Sequence, residues 1–500
     1  MGVVPPGGRR RHRKLAPRGA GERRRRDGGG RPAAGAGTHE RSRHRHRAPC
    51  GRGVPGRDRG CPPARHPTPD ARGERLRTLL VGARQVVTCR GPARARRGRE
   101  MAELEVLTDA AILIDGDRIA AVGRYADVRR ATGDVEQVEV SGVVYPGFVD
   151  CHTHAVFGAP RLDDHERRAL GMEYQGIAAA GGGILESVRD VRARSEAELV
   201  ALTRARLGAL LAHGSTTIEV KSGYGLDRET ELKQLRVIAQ LAIAQPAALT
   251  STFLGAHEVP PEFRDRRGEY LRLLCDEMIP AVARQRLAVA CDVFCEPGVF
   301  SVAEARAILG AASRHGLGVK LHADELDGSG GAELAVELGA LSADHLAGVS
   351  DAGIAALAAS DTIAVLLPAT LIFLGRRRQA PARRLLDAGA AVALATDFNP
   401  GSSPTVSLPL VMALAVSQLG LRHAEALHAV TVNAAAALRM ATDRGQIAPG
   451  FRADLVLCSV SDWREVAYWM AVNPVTAVWT GGSACPLRMG PVSLGTHVQA

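Results

Sequence analysis

Aromatic side chains are scarce in these 500 residues: nine Phe, six Tyr and three Trp amount to 4% of the chain. Ala, Gly, Val and Leu take their place, as expected where helices pack closely against strands. No apolar run reaches the 18 residues that a membrane-spanning helix needs. The N-terminal stretch also lacks the apolar segment of a secretory signal. Both absences leave the cytoplasm as the expected compartment, with no membrane partner. Paired cysteine motifs are missing too. Nine cysteines, an odd number, stand scattered at Cys50, Cys61, Cys89, Cys151, Cys275, Cys291, Cys295, Cys458 and Cys485. None forms a CxxC pair, and Cys291 and Cys295 are wrongly spaced for a zinc knuckle, so reduced core residues are expected. Neither a P-loop nor a GxGxxG fingerprint accompanies the glycines at 181–183 and 401.

Charge is plentiful but unevenly placed. The net +11 resides in residues 1–75, which hold 21 Lys+Arg against 6 Asp+Glu; the remainder holds 43 against 47. That leader contains no Phe, Trp or Tyr and cannot bury enough apolar surface to offset its ordering entropy. It reads as a disordered Arg/Gly/Pro-rich segment of the kind an overly early start codon adds. A basic nucleic-acid-binding arm is the competing reading, but no stacking aromatics or binding module accompanies the arginines, so no nucleic-acid partner is expected.

Beyond residue 76 the pattern predicts three parts. Short β-like runs at Thr78–Val87, Ala110–Ile114 and Arg118–Val122 suggest an antiparallel β unit over 76–145. Eight apolar runs at 148–152, 216–221, 248–255, 288–295, 317–322, 340–345, 362–367 and 391–397 alternate with helical stretches such as 230–243. This predicts a (β/α)8 barrel over 146–435, with a doubly wound open sheet as the competitor. The β-like text at Gly445–Ile447, Ala453–Leu457 and Val475–Trp479 then supplies a second β part over 436–485. The two flanking parts are expected to pair into one small β-sandwich, leaving 486–500 as a tail.

Asp150-Cys151-His152-Thr153-His154 ends the first of these strands. Residues i and i+2 of an extended segment point the same way, so His152 and His154 can reach one ion. A lone HxH is weak. Here His257, His322, His345 and Asp397 also fall at strand ends, the rim where barrel active sites lie. Three imidazoles and one carboxylate make an open site for Zn or Fe that leaves a position for water. Asp397 could take that water's proton, while His345 and Glu325 could polarise a carbonyl or shuttle the proton. Lys221 reads as an ion-pair or packing residue rather than a modified, metal-bridging lysine. Arg161, on the loop after strand one, suits a substrate carboxylate, and Tyr224 lies on the loop after strand two.

Eight segments then carry a resemblance: DCHTHAVFG at 150–158, GGGI at 181–184, EVKSGYGL at 219–226, TFLGAH at 252–257, DVFCEPGVF at 292–300, HADE at 322–325, SADHL at 342–346 and ATDFNPGSS at 395–403. Their order and spacing resemble the imidazolonepropionase family of amidohydrolases from about residue 78 to 480. The resemblance implies hydrolysis of the cyclic amide 4-imidazolone-5-propanoate to N-formimino-L-glutamate in histidine degradation, by a homodimer. It implies a metal on His152, His154, His322 and Asp397. Substrate contacts would come from Arg161, Tyr174, Tyr224, His257, Glu325 and Ser402, with Asn399 and Gly401 on the ring-opened product; which of Glu325, His257 and His345 first accepts the proton stays open. Another cyclic-amide hydrolase or aminohydrolase of the same superfamily is the alternative. Ala159-Pro160 before Arg161, Ala369 after Pro368, and the basic leader depart from the family pattern.

Overall fold

Leu79 and Leu80 are adjacent on one strand and serve different cores, as the two-residue period of a strand requires. The computed structural model describes residues 77–173, 176–177 and 180–487; the basic leader, Tyr174 and the end of the tail from 488 lie outside them. The strand Arg77–Val81 pairs antiparallel with Ala110–Asp115, placing Leu80 opposite Ile112. Leu80, Ile112 and Ile114 face an inter-sheet core. Leu79, Val81 and Leu113 face the opposite way, against Val128 of the helix Tyr125–Thr132.

The β unit has two sheets. One orders Arg118–Arg124, Ala110–Asp115, Arg77–Val81 and Glu136–Glu139. The other is composite: Leu455–Cys458 from the C-terminal part pairs antiparallel with Val143–Pro146 from the N-terminal part. Trp479 and Leu455 thereby join Leu80, Ile112 and Val144 in a single apolar core. Two expectations need correction. The unit is not purely antiparallel, because Glu136–Glu139 and Val143–Pro146 each return parallel to an N-terminal strand after a crossover. Gly445–Ile447 forms no strand; Gly445 sits at φ +84°, and Ile447 is tied in by one backbone bond to Thr88.

The barrel strands are Phe148–Asp150, Ser215–Lys221, Ala248–Ala256, Ala290–Cys295, Gly318–Ala323, Ser342–His345, Ile363–Leu366 and Val392–Leu394. They are parallel and neighbours in sequence order, which settles the competition with a doubly wound sheet. Side-chain and backbone bonds complete the ring between the first strand and the eighth: Thr396 donates through its amide and hydroxyl to Asp150, Asp397 N–H to His152 O, and His154 N–H to Phe398 O. The sheathing helices start where the sequence caps them. Ser195 with Glu198 opens Glu196–Ala212, Asp227 opens Arg228–Ala244, and Ser301 with Glu304 opens Val302–Arg314. Such caps satisfy amide donors that a helix start leaves orphaned.

Candidate metal centre and substrate cavity

Period two governs the first barrel strand as well. Val149 and Cys151 face outward into an apolar cluster with Val365, Ala393 and Ala434. His152 and His154 turn inward and are buried. Cys151 therefore points away from the rim, and burial raises its thiol pKa further.

Around the rim, His152, His154 and Asp397 form one group able to hold an ion, and His152, His322 and His345 a second. The Nε2 atoms of His152 and His154 stand 3.2 Å apart, each 3.5 Å from Asp397 Oδ1. His154 Nδ1, His322 Nε2 and both ring nitrogens of His345 find no hydrogen-bond partner among the described residues although they are buried. Burial holds His152, His154 and His345 well below the usual histidine range, so the rings are neutral and their lone pairs free to ligate. Orphaned buried nitrogens converging on a carboxylate are what a metal ion would satisfy. Asp397 Oδ2 accepts a 2.7 Å bond from Thr370 Oγ1, leaving Oδ1 toward the histidines. Burial pushes this carboxyl up to about 6. His345 and Asp397 sit at φ +79° and +53°, left-handed conformations that cost non-glycine residues about 1–3 kcal/mol and concentrate at functional sites.

His154, His322, His345 and Asp397 line a cavity shared with Arg161, Tyr224, His257, Phe294, Glu325, Asn399 and Ser402. His257 Nδ1 donates to Gly223 O at 3.0 Å, which leaves Nε2 as its acceptor. Burial and the neighbouring His322 lower this ring to about 3. Glu325 Oε2 stands 3.6 Å from His345 Nε2. Burial, then the nearby Asp397, raises the Glu325 carboxyl well above the usual carboxylate range. Arg161 is buried, and its Nε and Nη1 find no hydrogen-bond partner among the described residues, with Asp164 Oδ2 3.8 Å from Nε. The Ala159-Pro160 departure does not leave this loop loose: Ala159 N–H donates to Asp190 at 2.7 Å and Arg161 N–H to Pro400 O at 3.0 Å. A Cβ on Gly401 would fall on the Arg161 guanidinium, so a side chain there would displace it. Asn399 Oδ1 accepts from the amides of Gly401 and Ser402, both at 2.8 Å, and shapes that loop.

Of the layer beneath, sequence reasoning reached only Lys221, read as an ion-pair or packing residue, and missed the rest. Glu219, Lys221, Asp292, Lys320 and Asp344 are all fully buried inside the barrel. Asp344 Oδ2 accepts from His152 Nδ1 at 2.6 Å, and Asp292 Oδ2 lies 3.0 Å from His322 Nδ1. The available signal was charge at alternate positions of otherwise apolar strands, as in Glu219-Val220-Lys221 and Lys320-Leu321-His322.

A barrel with a histidine and aspartate cluster at the C-terminal rim and a composite β unit defines an amidohydrolase. The amidohydrolase family model matches residues 143–485, and a model described as an imidazolonepropionase-like composite domain of bacteria matches 110–131. The imidazolonepropionase of Rubrobacter xylanophilus is 49% identical over 413 residues, covering 82% of this chain and 99% of that protein. That of Chloroflexus aggregans is 46% identical over 410 residues, covering 80% and 96%. The chain belongs to the imidazolonepropionase family of amidohydrolases. The fold is shared more widely: an adenosine deaminase from Xanthomonas campestris with bound zinc superposes with a TM-score of 0.57 at 20% identity, over 82% of this chain and 93% of that one. A guanine deaminase from C. acetobutylicum gives 0.60 at 14%, over 82% and 99%.

Proposed function

We propose that this hydrolase opens the ring of 4-imidazolone-5-propanoate to N-formimino-L-glutamate. The observation that carries the reading is one cavity with orphaned histidine nitrogens around Asp397 on one wall and, on another, the buried Arg161 guanidinium, whose Nε and Nη1 make no hydrogen bond among the described residues. A cyclic amide with a propanoate tail matches that division. His152, His154, His322 and Asp397 would hold Zn or Fe, with His345 adjoining. A bound ion supplies Lewis-acid activation of water and of the amide carbonyl. Arg161 binds the propanoate through charge-assisted hydrogen bonds. His257 Nε2 accepts a hydrogen bond from the ring or the attacking water, and His345 with Glu325 passes a proton to the ring nitrogen as its bond to the carbonyl carbon breaks. Tyr174, Tyr224 and Ser402 complete the substrate contacts, and Asn399 with Gly401 shapes the pocket for the opened product. The protein works in the cytoplasm as a homodimer; no described helix is long and apolar enough to cross a membrane.

The deciding experiment follows loss of the ultraviolet absorbance of freshly generated 4-imidazolone-5-propanoate, with metal analysis and sedimentation of the same sample. Turnover with about one metal per chain supports the reading. Metal-loaded, folded protein without turnover moves the substrate to another cyclic amide.

A further inference from the structure

Lys221 ends the second barrel strand, yet its ammonium points into the barrel rather than to the rim. Its Nζ lies 2.7 Å from Asp292 Oδ2, 3.1 Å from Glu219 Oε2 and 3.6 Å from Asp344 Oδ2. Lys320, the other lysine of this layer, is taken up by Glu219 at 2.8 Å and by Cys151 O at 3.0 Å. Among the described residues, Lys221 is thus the one ammonium or guanidinium within 4 Å of both Asp292 and Asp344. These carboxylates stand behind different histidines, Asp344 behind His152 and Asp292 behind His322. Asp292 has independent anchors, since its Oδ1 accepts from Val293 N–H at 2.7 Å and His322 N–H at 3.2 Å. Asp344 has none: its Oδ1 is buried without a hydrogen-bond partner, and its Oδ2 faces His152 and, at 3.6 Å, Lys221, with the charge of Lys320 also acting on it.

We infer that Lys221 is a positioning residue for the metal centre, a single ammonium that clamps the carboxylates behind two histidines on opposite sides of the barrel. The inference rests on His152 and His322 being ligands, as proposed above. A carboxylate on the far nitrogen of a ligating histidine fixes its tautomer and ring direction, and losing such support weakens metal binding 10–100-fold as a rough rule. Holding two of these carboxylates from one point fixes the rings relative to each other, through a network spanning strands two, four and six.

A clamp and a bare charge predict opposite results. Removing a positive charge near a cation site should tighten cation binding by Coulomb's law. Removing a clamp should weaken it. The test is zinc affinity by chelator competition on the full chain, for the parent, for Lys221→Met, and for Lys221→Met combined with Asp344→Asn. The double variant leaves the layer's net charge unchanged and so guards against misfolding of the single one. Melting of each metal-free protein checks that it is folded. The expected result is zinc binding weakened on the order of 10–100-fold in both variants, with the metal-free double variant melting near the parent. Unchanged or tighter zinc binding by a folded variant overturns the clamp. Failure of even the charge-balanced variant to fold also overturns it, in favour of a purely structural lysine. A parent that binds no zinc or iron would instead overturn the ligand assignment beneath it.

Discussion

Between the two sheets of the β unit, Leu80, Ile112, Ile114, Val144, Leu455 and Trp479 meet with no charged group among them. Inside the barrel, at equal depth, Glu219, Lys221, Asp292, Lys320 and Asp344 occupy the layer below the rim. Barrels are ordinarily filled there by Val, Ile and Leu. An apolar core stabilises by area removed from water, and tolerates exchange of one hydrophobe for another. Buried ion pairs gain little over hydrophobic replacements, because desolvation offsets their attraction. The difference teaches that the β unit is built for stability, whereas the barrel interior accepts an electrostatic burden to aim histidines at one point.

The largest break in that comparison should come from His322→Ala. Its Nε2 has no hydrogen-bond partner among the described residues and Asp292 stands behind its Nδ1, so its removal should abolish metal content and turnover. Full metal and activity in the variant would sink the ligand assignment. The converse holds for Ile112→Ala, buried opposite Leu80. It should cost about 2–5 kcal/mol in denaturant unfolding. Metal per folded chain and kcat should not move, and loss of metal there would show that the two interiors are not separable.

Much of this was legible in the strand text because period two is strict. The eight apolar runs predicted the eight barrel strands, and HxH at 152 and 154 predicted two inward rings. Parallel returns within the β unit were not legible, since crossover connections leave no trace in the alternation of either strand. Lys221 was read as an ion-pair residue, but its partners escaped for a different reason. Lys221, Asp292 and Asp344 come from strands two, four and six, and only barrel closure brings them together. Single-residue signals on separate strands carry no pairing information until the topology is known. Arg161 was placed on a loop as a substrate cation, but its burial and its packing on Gly401 depend on a contact 240 positions away in sequence.

A smaller effect tests the cavity's other wall. Arg161→Ala should raise KM for the propanoate substrate by roughly 10–100-fold with a lesser change in kcat, as expected for loss of a charge-assisted bond to a remote group. Gly401→Ala should act in the same direction by displacing the guanidinium, without removing its charge. A kcat defect with unchanged KM in both variants would place Arg161 at the reacting centre instead.

The smallest expected effect asks whether the barrel's buried charge burdens the fold. Glu296, just past the fourth barrel strand, accepts from the amides of Glu325 and Leu326 through Oε1, while Oε2 is buried without a partner. Burial pushes its carboxyl up to about 7 from the ordinary glutamate value of 4.5. A raised carboxylate leaves folding unaffected below the unfolded value, where both states are protonated. The folded state then loses stability as pH climbs from about 4.5 to 7, because the unfolded chain ionises first. Above 7 the penalty is complete. Glu296→Gln keeps an oxygen for the two amides and cannot ionise. It should therefore match the parent at pH 4 and exceed it by about 2 kcal/mol at pH 8, an upper shift discounted for solvent access. Denaturant unfolding of metal-free protein across that range reads the difference directly. A gain of equal size at pH 4 would assign the effect to packing rather than charge. A loss at pH 8 would mean that the ionised carboxylate holds the Glu325 loop more strongly than burial opposes it.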